Sequence, residues 1–144
     1  MAKNKDPRYP NLHGHGLIEL ENGTLSGTWV SDSASDGSYI TYMNATNDDS
    51  TTASQVLAVE VTDNSDNVVS KLGNFAMTAE AGTKSDASVA PDDIKGSISC
   101  LDVDGASNKQ LFIPAGYKIK VTASAINAGD NIWVSIGYAE MAED

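Results

Sequence analysis

Hydrophobic and polar residues alternate one by one along much of this chain. In QVLAVEVT, Leu57, Val59 and Val61 fall on one side while Glu60 and Thr62 fall on the other. In YKIKVTASA, Tyr117, Ile119, Val121 and Ala123 oppose Lys118, Lys120, Thr122 and Ser124. In NIWVSIGYA, Ile132, Val134, Ile136 and Tyr138 share a side and Trp133 faces away. A period of two is the signature of a strand with one face buried. The Asn127–Asp130 turn between the last two runs predicts that they pair as an antiparallel hairpin. Leu17–Glu21 and Thr24–Val30 flank Asn22-Gly23, a strong hairpin signal. Tyr39–Asn44, Val68-Val69 after an Asp63–Asn67 turn, Ile94–Val103 and Leu111–Ile113 read as further strands. Around Phe75 two readings stand: Phe75, Met77 and Ala79 alternate as a strand, and NFAMTAEA also suits a short helix. AGTKSDASVAPDD reads as a polar loop.

About eight strands at this spacing, with no long helix, predict an all-β fold: a single antiparallel β-sandwich of jelly-roll type. The chain has 144 residues, the size of one domain, and shows no internal repeat. The Pro- and Gly-bearing start divides it into an extended N-terminal arm, residues 1–16, and a sandwich, residues 17–144.

The net charge of −11 is unevenly placed. Lys3, Lys5 and Arg8 outweigh Asp6 at the start, and no Lys or Arg then occurs until Lys71. So acidic a body repels phosphate backbones, which argues against nucleic-acid binding. No apolar run reaches the length of a membrane span and the N-terminus lacks a secretory core, so no membrane partner and synthesis in the cytoplasm are expected. The single cysteine, Cys100, forms no intrachain disulfide and reads as a small buried residue in a strand.

Few residues offer chemistry. His13 and His15 are two apart, so on a strand they share a face, and Glu19 supplies a third candidate metal ligand. The spacing is similar to the first metal motif of cupins, but no histidine follows His15 and the flanking glycines of that motif are missing. Gly14 and Gly16 suit a hinge instead, and no metal or other cofactor is expected. None of the acidic turns at Asp63–Asn67, Asp32–Gly37 and Asp102–Gly105 combines the glycine at position six with the glutamate at position twelve of a calcium-binding loop. No nucleophile elbow, P-loop or dinucleotide fingerprint occurs, and no histidine is left in the body to act as a general base, so the chain is expected not to be an enzyme. Trp133, opposite the apolar side of its strand, is a candidate subunit contact.

The segment FIPAGYKIKVTASAINAGDNIWVSIGYAEM resembles the closing strands of many small tailed-bacteriophage structural proteins: Pro114–Gly116 introduces one strand, Gly129-Asp130 reverses the chain, and Trp133–Tyr138 ends it. This covers about the last quarter of the chain, and the motifs are structural. In overall plan, an arm followed by a compact sandwich, the chain is similar to phage head decoration (cement) proteins. That resemblance implies a homotrimer on the virion surface that clamps neighbouring copies of the major capsid protein. Lys3, Lys5, Arg8, Tyr9 and His13 of the arm would then make the capsid contact. Two other roles stay open: a phage tail or receptor-binding module, and a carbohydrate- or metal-binding module of cupin type.

Overall fold

The computed structural model describes residues 8–48, 55–82, 90–101, 103 and 108–143. The strands are β1 (Arg8–Glu21), β2 (Ser26–Val30), β3 (Ser38–Asn47), β4 (Val56–Thr62), β5 (Val68–Ala76), β6 (Asp92–Asp93), β7 (Phe112–Ile113), β8 (Lys118–Ala123) and β9 (Asn131–Glu143), with one helical turn, α1 (Ile94–Ser97), after β6. They form two antiparallel sheets. In sheet A the order is β1-β9-β3-β6, with β7 also paired to β3; in sheet B it is β2-β8-β4-β5. The all-β sandwich expected from the alternation is the fold observed.

The core lies between the sheets and is made by the residues that the alternation selects. Sheet A contributes Ile18 and Leu20 of β1, Met43 and Ala45 of β3, and Ile132, Val134 and Ile136 of β9. Sheet B answers with Leu57, Val59 and Val61 of β4 and Ile119, Val121 and Ala123 of β8. Each large buried aliphatic side chain stabilises by roughly 1.5–3 kcal/mol relative to exposure.

Two expected hairpins are not hairpins. The Asn22-Gly23 turn closes with paired bonds between Glu21 and Thr24 (3.1 and 2.9 Å), yet β1 and β2 then diverge into different sheets. The strands on either side of Asn127–Asp130, β8 and β9, likewise belong to opposite sheets. In both cases the two apolar faces meet across the core instead of lying side by side, which buries them equally well. By contrast β4 and β5 do form a hairpin around Asp63–Asn67, and the stretch around Phe75 is strand.

The run Ile94–Val103, expected as a strand, is different again. Asp93 accepts the backbone N–H of Gly96 (2.9 Å) through its carboxylate and caps α1, and Ser97 donates its hydroxyl to the Asp93 carbonyl (2.7 Å). Ile94 and Ile98, four apart, are both buried by this turn. Cys100 lies beyond it and is exposed, so the expected buried thiol is corrected. The loop expected at AGTKSDASVAPDD falls largely outside the described residues.

β1 runs without a break through the expected arm–sandwich boundary at residue 16, and residues 8–21 pair with β9. Gly14 and Gly16, expected to hinge, sit within this strand. A Cβ on Gly16 would lie 2.5 Å from Trp29 Cδ1, and one on Gly14 2.5 Å from Tyr138 Cζ. Trp29 and Tyr138 pack on each other below them, with ring centroids 5.0 Å apart. The glycines make room for two inward-facing aromatics.

Candidate functional site

The outer face of sheet A is built in rows across β1, β9 and β3. Register places Glu19, Trp133 and Thr46 in one row, Leu17, Ser135 and Asn44 in the next, then His15, Gly137 and Tyr42, then His13, Ala139 and Tyr39. Phe112 of β7 extends the last row, and its ring lies 5.0 Å from that of Tyr39. This face therefore carries Trp133, Tyr42, Tyr39 and Phe112.

A β-bulge at Ile40/Tyr42 sets its character. Up to Ile40 the even-numbered residues of β3 point inward; from Met43 the odd-numbered ones do. Thr41 and Tyr42 are thus both turned outward, opposite Gly137 alone. With no side chain on Gly137, the Tyr42 ring lies across β9 and its hydroxyl reaches Nδ1 of His15 at 2.8 Å. One aromatic ring is fixed flat on the sheet by a partner two strands away.

Beside it, β3 forms one wall of a trough whose other wall is α1 with residues 108–110. Thr41, Tyr42, Asn44, Asp93, Lys95, Gly96, Asn108 and Lys109 line one part, with a volume of about 380 Å³. The trough continues past Tyr39, Ile40 and Gln110, sharing Thr41, Lys95, Asn108 and Lys109. Lys95 donates to the Thr41 carbonyl at 3.4 Å, and Lys109 donates to the Ile98 carbonyl. The first bond ties the two walls together, and the second joins residues 108–110 to the end of α1 within one wall. The sequence reading missed this trough, because its walls come from segments more than 50 residues apart (Thr41 and Lys95 are separated by 54). Only the capping pattern Asp93-Ile94, an N-cap residue before an apolar one, was there to signal the helical wall.

The residues singled out in the sequence are dispersed. Lys3 and Lys5 lie outside the described residues. Arg8 and Tyr9 open β1, their backbones in register with Glu143 and Ala142. His13 and His15 are exposed on the outer face, but Glu19 is two rows beyond His15, in the row of Trp133. Among the described residues no group of three or more His, Cys, Asp or Glu comes together to hold a metal ion. Trp133 is half-buried between β1 and β3.

The acidic turn at Asp63–Asn67 is held internally. Asp63 accepts the backbone N–H groups of Ser65 (2.9 Å) and Asn67 (3.0 Å), and the Asn67 amide at 3.3 Å. The Asn67 backbone bond is the main reason its carboxyl is held below the ordinary aspartate value. Asp66, in the left-handed region at φ 66°, receives Lys118 at 2.6 Å. In the Asp32–Gly37 loop, Asp32 accepts the Ala34 N–H at 2.9 Å. Most of Asp102–Gly105 lies outside the described residues.

Compared with known proteins, the chain matches no family model, no curated protein and no solved structure.

Proposed function

We propose that this chain is a structural virion protein, a decoration subunit that sits on a phage capsid as a homotrimer and clamps neighbouring copies of the major capsid protein. The observation that supports it best is the strand pairing. The chain pairs as nested couples, β1 with β9, β2 with β8, β3 with β6, and β4 with β5. A long antiparallel ribbon rolled over on itself in this way is the plan of a jelly roll, an architecture used in viral capsid and lectin domains and in cupins. The role needs a stable sandwich and a segment that reaches a neighbour, and no catalytic group. β1 begins at Arg8 on the edge of sheet A, and Lys3 and Lys5 precede it in the sequence. Trp133, on the outer face of sheet A, is the candidate subunit contact.

Because residues 8–16 pair with β9, the informative deletion is shorter than the whole expected arm. Removing residues 1–7, or changing Lys3 and Lys5 to Glu, is expected to abolish binding to capsids while leaving the domain folded. Antibody labelling of intact virions, read by electron microscopy, tests the location. Label spread over the head supports decoration, label confined to the tail moves the protein to the adsorption apparatus, and unlabelled particles overturn the virion role.

A further inference from the structure

The trough on sheet A has the composition of a site for a hydroxyl-rich ligand. It is concave and lined mainly by polar side chains that present both donors and acceptors: Thr41, Asn44, Asp93, Lys95, Asn108 and Lys109. Aromatic surface adjoins it at both ends. Tyr42 is locked by His15 at one end, and Tyr39 and Phe112, each 41% exposed, pack together at the other. A sugar ring needs this combination, since its hydroxyls require paired donors and acceptors and its C–H face rests on the electron-rich face of an aromatic ring. From Tyr39 to Asn44 the wall extends about 16 Å at roughly 3.3 Å per residue, long enough for a short oligosaccharide and not only a single ring.

Charge narrows the class. The protein is acidic overall, at −11, yet Lys95 and Lys109 converge on this trough. On sheet B, by contrast, Lys71 and Lys120 flank Glu60, and Lys118 pairs with Asp66. Lys95 and Lys109 bond to backbone carbonyls and to no carboxylate among the described residues. The one acid in the lining, Asp93, has Oδ1 engaged in capping α1. Each ammonium keeps two further N–H groups for a ligand anion.

We propose that this trough binds an acidic oligosaccharide, with a uronate-type carboxylate at Lys95 and Lys109, hydroxyls at Asn44 and Thr41, and ring faces against Tyr42 and the Tyr39–Phe112 pair. The site is independent of the capsid role, since none of its residues belongs to the N-terminal contact.

The test uses the full chain and trisaccharides of galacturonate and guluronate, with cellotriose as the neutral comparison, read by calorimetry. Uronate trisaccharides are expected to bind in preference to cellotriose and more weakly as salt is raised. Lys95→Ala should weaken binding at least about tenfold, as the loss of a charge-assisted hydrogen bond predicts, and Lys95→Arg should restore much of it. Asn44→Ala should weaken uronate and neutral ligands alike. Melting curves show whether each variant is folded; Lys95 is on the surface, and its one bond is long. No binding of either uronate, equal binding of cellotriose, or a folded Lys95→Ala/Asn44→Ala double variant that binds as well as the parent would overturn the proposal.

Discussion

The outer faces of the two sheets are made by the same rule and come out unlike each other. On sheet B, β2, β8, β4 and β5 present Thr28, Lys120, Glu60 and Lys71 in one row, and Ser26, Thr122, Ala58 and Asn74 in the next. The Lys–Glu–Lys row is a cross-strand charge ladder, and Ser26 and Thr122 share a hydroxyl contact at 3.2 Å. This face is a solvated surface. On sheet A, the β3 bulge and Gly137 let an aromatic ring lie flat, and α1 and residues 108–110 raise a second wall beside β3. Sheet B has irregularities too, where β5 pairs with β4 at Val59/Glu60 and Val61/Thr62, but these lie at an edge strand, whereas the bulge of sheet A lies opposite a glycine and beside α1. The site belongs to that placement of the bulge.

The largest expected effects are blind to this difference, because both sheets share a core. Ile136→Ala in β9 and Ile119→Ala in β8 remove fully buried side chains. Each should cost about 2–5 kcal/mol in urea unfolding, since the cavity collapses only in part. A markedly smaller loss at either position would mean that the sheet concerned is not packed as described.

The next effect separates the faces. Gly137 and Ala58 both lie on outer faces of strands paired on both sides. Ala58→Ser should change stability by no more than about 0.5 kcal/mol, as for an ordinary surface change. Gly137→Ala places a Cβ into the Tyr42 ring and against Thr41 Oγ1. It should cost about 1–3 kcal/mol, because the ring must leave the sheet. Equal, small effects at the two positions would remove the contrast. Tyr42→Phe is milder: it keeps the ring and deletes only the bond to His15, which is exposed. A loss below about 1 kcal/mol is expected, with chemical-shift changes centred on the His15 ring.

This contrast also explains what the sequence made legible. The alternation in β4, β8 and β9 identified Leu57, Val59, Val61, Ile119, Val121, Ile132, Val134 and Ile136 as inward-facing, and each is buried. Alternation reports which face of a strand is apolar, and says nothing about which strand lies alongside. So the segments around Asn22-Gly23 and Asn127–Asp130 read as hairpins when each in fact crosses from one sheet to the other. At Ile94–Val103 the apolar residues fit two periods; the four-residue spacing of Ile94 and Ile98, behind the Asp93 cap, was the helical one. The bulge at Ile40/Tyr42 reverses the phase of β3 midway, and a short window that ends at Asn44 cannot register it. The trough needs that bulge and a contact between β3 and residues far along the chain, neither of which is a local property.

The smallest expected effect concerns the turn that closes the β4–β5 hairpin of the plain sheet. Asp63 receives N–H bonds from Asn67 and Ser65, which favour its charged form and lower its pKa. A carboxyl with a lower pKa in the folded state stabilises the fold above its unfolded value, about 3.9 for aspartate. That contribution is lost as pH falls through the folded-state value. In Asp63→Asn the amide oxygen can accept the same N–H groups without a charge, so its stability should fall less steeply below about pH 4 than that of the parent. The measurement is urea unfolding at a series of pH values from neutral to acid, for both proteins. Parallel acid limbs would show that the charged carboxylate does not hold this turn. A shallower limb in the variant would establish that sheet B, plain on its outer face, still depends at one end on a specific charge-assisted turn.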